Sequence, residues 1–293
     1  MSIQYTMDNF KVALIQQGYS NSRGFFTRTK KEDNIQSEAE TVWSTIAKEN
    51  PIQAAAGTNN TTDWYAKYPH VVDQEIQDKE NIVLDAGCGY GRVAIPLLRG
   101  RKNLKLIGVD ASTVMLHTFL NLLETESISD LKQRLILLHS TITHLPFPEG
   151  SFEAIYSCAV LLHNPYQDVQ EILKEFRRLL KPTGKLVLAG SFPNVWNLEG
   201  IQNFLYATYF VSPHANGPVR AYTRNKVTEL FTDWKDIHIV PTGVTVLPRR
   251  IVKIPMPLRG FIRGVNGWFE ERNFAFVSRS SVFIKHFDVI AQK

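Results

Sequence analysis

A glycine-rich run at residues 85–91 is the strongest chemical signal in the sequence. It spells Asp-Ala-Gly-Cys-Gly-Tyr-Gly and lies between a short apolar stretch and a segment with helical periodicity. Glycines in such a turn let the backbone approach a ligand closely, and the amides of a following helix point toward that ligand. A second apolar stretch ends in Asp110, about twenty residues after Gly91. A carboxylate there can accept hydrogen bonds from both hydroxyls of an adenosine ribose, so the two features together predict a nucleoside site.

The spacing of the glycines separates two classes of ligand. Dinucleotide-binding turns usually have G-x-G-x-x-G, whereas this turn has G-x-G-x-G and is preceded by Asp85. A carboxylate there would repel a pyrophosphate, but it suits a ligand with a positively charged end. S-adenosylmethionine carries an ammonium and a sulfonium and no phosphate, so it is the cofactor that this run favours. The alternative, a glycine-rich turn that binds nothing, does not explain the acid at Asp110.

Strands and helices alternate along the chain around this turn. Short, continuously apolar runs predict buried strands at residues 81–87, 104–110, 134–140, 152–160 and 184–192. Segments with helical periodicity lie between them at residues 91–100, 112–127 and 164–182. Pro96 must kink or shorten the first of these helices, and Ser112 is the predicted N-cap of the second. A helix that Thr223 caps and two last strands follow, the strands at residues 234–240 and 281–291. The alternation predicts βαβ units, and therefore a Rossmann-like α/β fold with a mostly parallel sheet.

Additional segments are predicted outside this alternation. Residues 1–60 are expected to form an N-terminal helical extension, in which residues 1–35 have weak periodicity and predict a loosely packed lead or a short helix. Residues 61–293 are expected to form the cofactor-binding domain, with inserted caps at about 192–222 and 241–280. The first cap is rich in aromatic residues, which suit either a substrate cover or an ordinary aromatic core.

Four motifs in the predicted strands and turns resemble those of class I S-adenosylmethionine-dependent methyltransferases. VLDAGCGYG resembles the family's first motif and GVDAS its second, LPFPEGSFEAIYSCAVLLH resembles the stretch around the fourth strand, and LLKPTGKLVLAG resembles the motif of the fifth strand. The resemblance covers about residues 60–192 and is to the small-molecule, methyltransferase-domain-11-like branch. It implies a seven-stranded sheet with an antiparallel last strand, which agrees with the two terminal strands predicted here.

The resemblance also implies which residues bind S-adenosylmethionine. The glycines of the turn hold the methionine part of the cofactor, Asp85 acts near the ammonium, in part through the loop amides or water, and Asp110 holds the ribose. Residues just before Leu145 flank the adenine, with Thr141 at a position where many relatives have Asp. The end of the fourth strand lies under the sulfonium. The cofactor contacts implied in this way are Asp85, Gly87, Gly89, Gly91, Asp110, Ala111, Thr141, Ile142 and Cys158.

His163 is the candidate catalytic residue. It follows the fourth strand, where the resemblance places the methyl group of the cofactor, and an imidazole is a suitable base near neutral pH. Packing or capping by His163 is an equally weighted alternative. Asn164 and Pro165 are interpreted as an N-cap and first helical residue rather than as an amino-methyltransferase motif. Cys158 lacks the Pro-Cys context of a nucleophile and is interpreted as a small buried apolar residue.

The composition limits the setting in which the protein works. The two cysteines are too few for a disulfide framework, no apolar run is long enough to span a membrane, and the N-terminus lacks the pattern of a signal peptide. We therefore expect a cytoplasmic protein. The histidines show no metal-ligand spacing, and we expect no metal.

The net charge of +5 is concentrated in one segment. Residues 241–280 contain seven Arg or Lys and two Glu, so the remainder of the chain is neutral overall. Apolar side chains recur at helical spacing within it, at Leu258, Phe261, Ile262, Val265, Trp268 and Phe269, while Arg259, Arg263 and Asn266 face elsewhere. We expect this stretch to pack over the acceptor pocket, where its arginines would attract an anionic group. The alternative is contact of residues 249–272 with a membrane surface or a lipid-like substrate.

Together, these observations predict methyl transfer from S-adenosylmethionine to an O, N or C atom of a small-molecule acceptor. An RNA or protein methyltransferase is the alternative enzyme, and a non-catalytic module that binds a partner is the alternative of another class. Nucleic acid is disfavoured because the basic segment lies outside the motifs. The intact glycines and Asp110 argue against the non-catalytic module.

Overall fold

A nine-stranded sheet is the centre of the described part of the chain. A computed structural model describes residues 5–28, 43–45, 47–48, 51–52, 67–76, 82–125, 130–197, 200–201, 219–244, 246, 256–271 and 282–293. The strands are β1 (Tyr19–Ser22), β2 (Phe25–Arg28), β3 (Ile82–Ala86), β4 (Lys105–Asp110), β5 (Leu135–His139), β6 (Phe152–Cys158), β7 (Leu180–Pro193), β8 (Lys235–Val244) and β9 (Ile284–Gln292).

The order of the strands is β1-β2-β5-β4-β3-β6-β7-β9-β8. From β2 to β7 all neighbours are parallel, whereas β9 is antiparallel to both β7 and β8. The strands β3 to β9 therefore form the expected Rossmann-like, mostly parallel sheet of seven strands, and the prediction of an antiparallel last strand is confirmed.

Eight helices are described around the sheet. They are α1 (Met7–Gln16), α2 (Lys67–Glu75), α3 (Ala94–Gly100), α4 (Thr113–Glu124), α5 (Leu131–Arg134), α6 (Tyr166–Leu179), α7 (Arg224–Leu230) and α8 (Met256–Glu271). The predicted caps of α4 and α7 are confirmed, because the side chains of Ser112 and Thr223 accept hydrogen bonds from the backbone amides of Met115 and Lys226. Among the residues that the structure describes, no helix is both long enough and apolar enough to cross a membrane.

Prolines lie at the starts of two helices. Pro96 lies in the first turn of α3, where a missing amide is tolerated, so the helix begins at Ala94 and is shortened, as this proline predicts. Asn164 does not cap α6, since its side-chain amide donates instead to the Val160 carbonyl at 3.0 Å, and Pro165 occupies the cap position.

Apolar layers cover the sheet on both faces, which explains the continuous apolar runs of its central strands. Successive side chains enter opposite layers: Val83 and Tyr156 belong to one cluster, whereas Leu84 and Ile155 belong to the other. Helices α2, α3 and α4 contribute to the first cluster, and α1, α6 and α7 to the second. The carboxyl ends of β3 to β7 therefore lie along one edge of a rigid, doubly covered sheet.

The N-terminal segment is packed more closely than the sequence predicts. Helix α1 is present, but Phe10 is only 1% exposed and its ring stacks on Phe152 of β6 at 5.3 Å. The hairpin of β1 and β2 then extends the sheet, with Phe26 paired to Leu138 of β5. Of the two alternatives predicted for residues 1–35, the short helix is confirmed as α1, whereas a loosely packed lead does not describe residues 5–28. The hairpin was missed because three of the four residues of β1 are exposed and show no periodicity. The division of the chain at residue 60 stays a prediction.

The two predicted caps lie partly outside the described residues. In the first, Tyr222 and Phe192 pack together in the core at 5.1 Å, whereas Trp196 is exposed; residues 202–218 are not described. In the second, α8 confirms the helical spacing. Its orientation differs from prediction, because Asn266 is buried and its Oδ1 accepts a hydrogen bond from the Val246 amide at 2.9 Å. The buried face is thus built around an asparagine that was expected to face elsewhere.

Candidate active site

The carboxyl ends of the parallel strands bring the predicted cofactor residues to one edge. The chain order of the strands reverses between β3 and β6, and a crevice opens at such a point in doubly wound sheets. Every predicted residue lies at this edge: Asp85 near the end of β3, Gly87, Gly89 and Gly91 in the turn after it, Asp110 and Ala111 at the end of β4, Thr141 and Ile142 after β5, Cys158 at the end of β6, and His163 in the turn that follows.

The glycine turn is tightly packed at two points and open at one. The three glycines have φ of +84°, +54° and +83°, a region that side chains rarely adopt. A Cβ on Gly87 would lie 2.4 Å from the Val160 side chain, and one on Gly91 would lie 2.3 Å from the ring of Phe119. A Cβ on Gly89 would meet nothing within 4 Å. The first and third glycines let the turn pack against the protein, while Gly89 borders open space.

Asp110 connects β4 to this turn. Its Oδ2 accepts a hydrogen bond from the Gly89 amide at 2.8 Å, and its Oδ1 accepts one from the Ser112 amide at 2.9 Å. The Val109 carbonyl accepts from the amides of residues 87 and 88 at 2.8 and 2.9 Å. Burial raises the pKa of the Asp110 carboxyl, and the two amide hydrogen bonds oppose that shift. The carboxylate is therefore held in one orientation beside the open space at Gly89.

Asp85 is buried beneath the turn and has a specific partner. It is 2% exposed, and its Oδ2 accepts a hydrogen bond from the Tyr156 hydroxyl at 2.9 Å. Burial raises the pKa of Asp85 to about 8; Tyr156 and Arg92 oppose the shift, and Asp110 adds to it. The loop amides, through which Asp85 was expected to act in part, donate to Val109 and Asp110 instead. Asp85 is thus held by the sheet rather than by the turn.

Arg92 links the turn to the ends of β6 and β7. Its Nη2 donates to the Cys158 carbonyl at 3.1 Å, and its guanidinium lies 5.2 Å from the centre of the Tyr68 ring. The Tyr68 hydroxyl approaches Gly190 so closely that a Cβ there would lie 2.0 Å from it. The Gly190 amide in turn donates to Asp288 at 2.7 Å. Burial raises the pKa of Asp288 to about 6, and this amide hydrogen bond opposes the shift.

The end of β6 combines a buried thiol with an unusual backbone conformation. Burial raises the pKa of the Cys158 thiol, which keeps it neutral and agrees with its interpretation as an apolar residue rather than a nucleophile. Ala159 has φ of +57°, and its amide donates to the Ala189 carbonyl at 2.8 Å. Left-handed backbone at a residue other than glycine is uncommon and often occurs at functional sites. It turns the chain sharply toward His163.

The loop after β5 lies on the other side of the crevice. The Thr141 and Thr143 hydroxyls are 3.1 Å apart and hydrogen-bonded, so the Thr141 hydroxyl already has one partner. Ile142 is buried, and His139 Nε2 lies 3.1 Å from the Ala111 carbonyl oxygen. These contacts join the loops that follow β4 and β5, where the adenine contacts were predicted.

A buried ion pair from α6 holds the continuation of that loop. Glu175 Oε1 accepts a hydrogen bond from the Leu145 amide at 2.8 Å and pairs with Arg178 at 2.7 Å. Arg178 also donates to the carbonyls of Phe147 and Leu145, at 2.8 and 3.2 Å. The Leu-Pro-Phe motif is therefore fixed through its backbone by a helix on one face of the sheet.

His163 lies in a single 3-10 turn, Leu161–His163, directly after β6. Its ring meets the ring of Trp43 edge to face, with centroids 4.9 Å apart and planes at 74°. Its carbonyl accepts a hydrogen bond from Arg220 Nη1 at 2.6 Å. The turn and the aromatic contact together orient a half-buried imidazole near the crevice.

Trp43 brings the N-terminal segment to the same place. It packs against a small cluster that contains Ala47, Met115 of α4 and Tyr90 of the glycine turn. Trp43 therefore contacts both His163 and a cluster that includes the cofactor turn. This pairing joins residues far apart in the chain, and no local pattern in the sequence indicates it.

The sequence interpretation missed four residues of the site. Arg92 had the clearest signal, since it is a charged residue directly after the glycine turn. Tyr156 was a polar group inside an apolar strand, which also suggests a buried partner. No local pattern in the sequence indicates Trp43 or Ala159. The contact of Trp43 is with a residue far away in the chain, and the unusual feature of Ala159 is a backbone angle. Within the described ranges, no group of three or more His, Cys, Asp or Glu side chains could hold a metal ion.

The arrangement fits S-adenosylmethionine. A carboxylate with unused lone pairs adjoins open space at Gly89, as a ribose requires. A second, buried acid lies under the turn, which suits the positively charged end of the cofactor better than a phosphate.

Comparison with known proteins finds similarity to methyltransferases. Residues 83–184 match the family model described as a methyltransferase domain. A sterol 24-C-methyltransferase of Aspergillus fumigatus is 28% identical over 120 residues, which are 41% of this chain and 30% of that protein. A demethylmenaquinone methyltransferase of Thermotoga maritima is 31% identical over 156 residues, which are 52% of this chain and 63% of that protein.

A solved structure has the same fold. Geranyl diphosphate C-methyltransferase of Streptomyces coelicolor superimposes with a TM-score of 0.51 and 15% identity, covering 78% of this chain and 75% of that one. The chain spans less than two thirds of the length of either curated relative. Residues 83–184 are therefore similar to a methyltransferase domain, and the solved structure shares the fold. The roles of the individual residues stay predictions.

The pKa of Asp85 predicts a specific dependence of stability on pH. Between the ordinary value of 3.8 and about 8, the folded state keeps a proton that the unfolded state loses. The stabilisation is therefore fully present below the ordinary value and is lost as the pH rises through about 8. We expect Asp85→Asn to remove this loss, so that the free energy of unfolding of the variant gains on the parent by up to about 1.4 kcal/mol per pH unit in this window.

Denaturant titrations of both proteins across the window provide the measurement. Asp288 also titrates, but it is present in both proteins, so its contribution cancels in the difference. Parallel curves for parent and variant would show that Asp85 is ionised in the folded protein.

Proposed function

We propose that the protein transfers the methyl group of S-adenosylmethionine to an O, N or C atom of a small-molecule acceptor. The observation that carries the proposal is the open space at Gly89, beside an Asp110 carboxylate that two backbone amides already orient. Two of the curated relatives support a lipid-like acceptor, since they are named for a sterol and for demethylmenaquinone.

The bound cofactor supplies a methyl group that its sulfonium activates for displacement. The protein then has to bind and orient the cofactor and the acceptor and, where needed, to remove one proton from the acceptor. Asp110 accepts hydrogen bonds from the ribose with its remaining lone pairs. Because its orientation is set before binding, little conformational freedom is lost when the ribose arrives.

Asp85 serves the positively charged end of the cofactor. A carboxyl with a pKa near 8 is largely neutral at neutral pH, and an approaching ammonium favours its charged form. Tyr156 donates to the same carboxyl and keeps it directed toward one side of β3. Asp85 therefore contributes charge when the cofactor binds and avoids an uncompensated buried charge when it does not.

His163 is the proposed general base for acceptors that must lose a proton. Trp43 holds the imidazole edge to face and shields one side from water. Arg220 fixes the backbone of the turn that carries it. For acceptors that need no base, the same contacts make His163 part of the acceptor pocket. The basic residues of 241–280 are proposed to attract an anionic group on the acceptor.

Calorimetry tests the proposed binding of the cofactor. We expect the purified protein to bind S-adenosylmethionine and S-adenosylhomocysteine without added metal. Asp110→Ala removes two hydrogen bonds to a charged acceptor, each contributing about 1.5–3 kcal/mol, so Kd should rise at least about 100-fold. Asp110→Asn keeps one acceptor oxygen and should lose less.

Two results would contradict this assignment. If calorimetry detected no heat of binding with the parent protein, S-adenosylmethionine would not be its cofactor. If Asp110→Ala bound the cofactor as tightly as the parent and had the same melting temperature, Asp110 would not bind the ribose.

The role of His163 is tested by turnover and its pH profile. Once an acceptor is found, His163→Ala should lower kcat about 100-fold while the Kd of the cofactor is unchanged, and the limb of the pH profile near neutrality should disappear. His238→Ala is the matched control, since this histidine is exposed on β8, the last strand in the order of the sheet and away from the turns of the candidate site. If His163→Ala turned over at the parental rate, His163 would not be a general base, and the protein would act only by positioning the acceptor and the cofactor.

A further inference from the structure

Helix α8 exposes two of the apolar residues that were expected to be buried. Phe261 is 62% exposed and Trp268 is 44% exposed. They are seven residues apart and so share one face of the helix, with exposed Gly264 between them. Ile262 and Asn266, on the other side, are buried.

The hydrogen bond of Asn266 sets this orientation. The Asn266 side chain accepts from the Val246 amide just beyond β8, and α8 packs on that strand. Rotating the helix to bury Phe261 would break this bond and expose a buried amide side chain. The outward position of the aromatic residues is therefore a consequence of how α8 is attached.

Other exposed apolar side chains lie on neighbouring segments. Trp196 and Ile201, 56% and 41% exposed, follow β7, and Val282, 49% exposed, precedes β9. Strand pairing brings the end of β7 and the end of β8 to the start of β9. We call this group the docking face; it consists of Trp196, Ile201, Phe261, Trp268 and Val282.

The docking face lies at the same edge of the sheet as the candidate active site. Strand β8 runs parallel to β7, since both are antiparallel to β9, so its end lies with the carboxyl ends of the central strands. Asp110 and His163 follow strands that end at this edge. A surface that covers the docking face would therefore be close to the entrance of the crevice.

The charge of the segment indicates what that surface is. Residues 241–280, which include α8, hold seven basic and two acidic residues and the whole net charge of the chain. Two copies of the chain meeting through this segment would repel each other. Within α8 two Arg and two Glu balance, so the excess charge of the segment lies in the residues on either side of the helix. An anionic bilayer attracts a segment of this charge, and exposed Trp and Phe on an amphipathic helix are typical of helices that lie in a membrane interface.

We propose that the docking face binds the surface of an anionic lipid bilayer and that the acceptor is taken from that bilayer. Uptake of the acceptor from the bilayer rests on the proposed methyl transfer, whereas binding to the bilayer does not. The aromatic side chains of α8 enter the interface between headgroups and acyl chains, and the basic residues of 241–280 supply attraction to the headgroups. The protein binds at the surface through an amphipathic helix.

Cosedimentation with vesicles tests the proposal. We expect the full chain to bind phosphatidylcholine vesicles that contain phosphatidylserine, to release them at high salt, and to ignore vesicles of phosphatidylcholine alone. The double variant Phe261→Ser/Trp268→Ser should lower the partition constant at least about tenfold. The matched control is Val12→Ser/Ile15→Ser, which changes two apolar residues of α1 that are 52% and 61% exposed and should bind as the parent does.

The alternatives give different results. Because the altered residues are exposed, both double variants should keep the melting temperature and the cofactor affinity of the parent. Equal binding of vesicles by parent and Phe261→Ser/Trp268→Ser, or no binding by the parent, would overturn the proposal. The proposal would also be overturned if gel filtration showed a dimeric parent and a monomeric Phe261→Ser/Trp268→Ser variant while vesicle binding stayed unchanged. The docking face would then be a contact between two copies of the chain. Vesicle binding without cofactor binding would refute the proposed function and leave the docking face intact.

Discussion

The hydrogen bond between the Gly89 amide and the Asp110 carboxylate is the contact on which the candidate site depends. It joins the turns that follow two adjacent parallel strands, and it exists only because the glycine turn can adopt its left-handed backbone angles. Gly87 and Gly91 allow close contact with Val160 and Phe119, so the turn cannot relax away from the sheet without leaving space beneath it. The open side of the turn and the fixed carboxylate then face the same crevice.

Buried acids set the electrostatics below that contact. Asp85 and Asp288 both have pKa values raised by burial, to about 8 and about 6, and both hold partners at the ends of central strands. Tyr156 donates to the first, and the Gly190 amide donates to the second. At neutral pH the Asp85 carboxyl is therefore largely protonated, which avoids an uncompensated buried charge beneath the turn. A positively charged ligand beside Asp85 would lower the pKa of this carboxyl and favour its ionised form.

Much of the fold could be predicted because its signals are local. The apolar runs of β3 to β6, the caps Ser112 and Thr223, and the glycine turn followed by Asp110 each depend on residues near one another in the chain. The hairpin of β1 and β2 could not be predicted, since its short strands are half exposed and carry no periodicity. Contacts between distant segments were also missed. The Trp43 ring on His163 is set by how the N-terminal segment crosses the sheet edge, which residue spacing does not encode.

Helix α8 shows the same limit in another form. Its periodicity correctly predicted a helix with an apolar stripe, but periodicity does not say which face the protein covers. One hydrogen bond, from the Val246 amide to Asn266, decides that the asparagine is buried and that Phe261 and Trp268 are exposed. Asn266 is the one uncharged polar side chain of α8, and it was the local hint of this outcome.

A crystal structure of the protein with S-adenosylhomocysteine tests the central claim most directly. We expect the ligand in the crevice at the carboxyl ends of β3 and β4, with both ribose hydroxyls about 3 Å from the Asp110 carboxylate. The turn at residues 87–91 should keep its backbone, because its packing against Val160 and Phe119 precedes binding. A ligand bound elsewhere, or a ribose that does not reach Asp110, would contradict the claim.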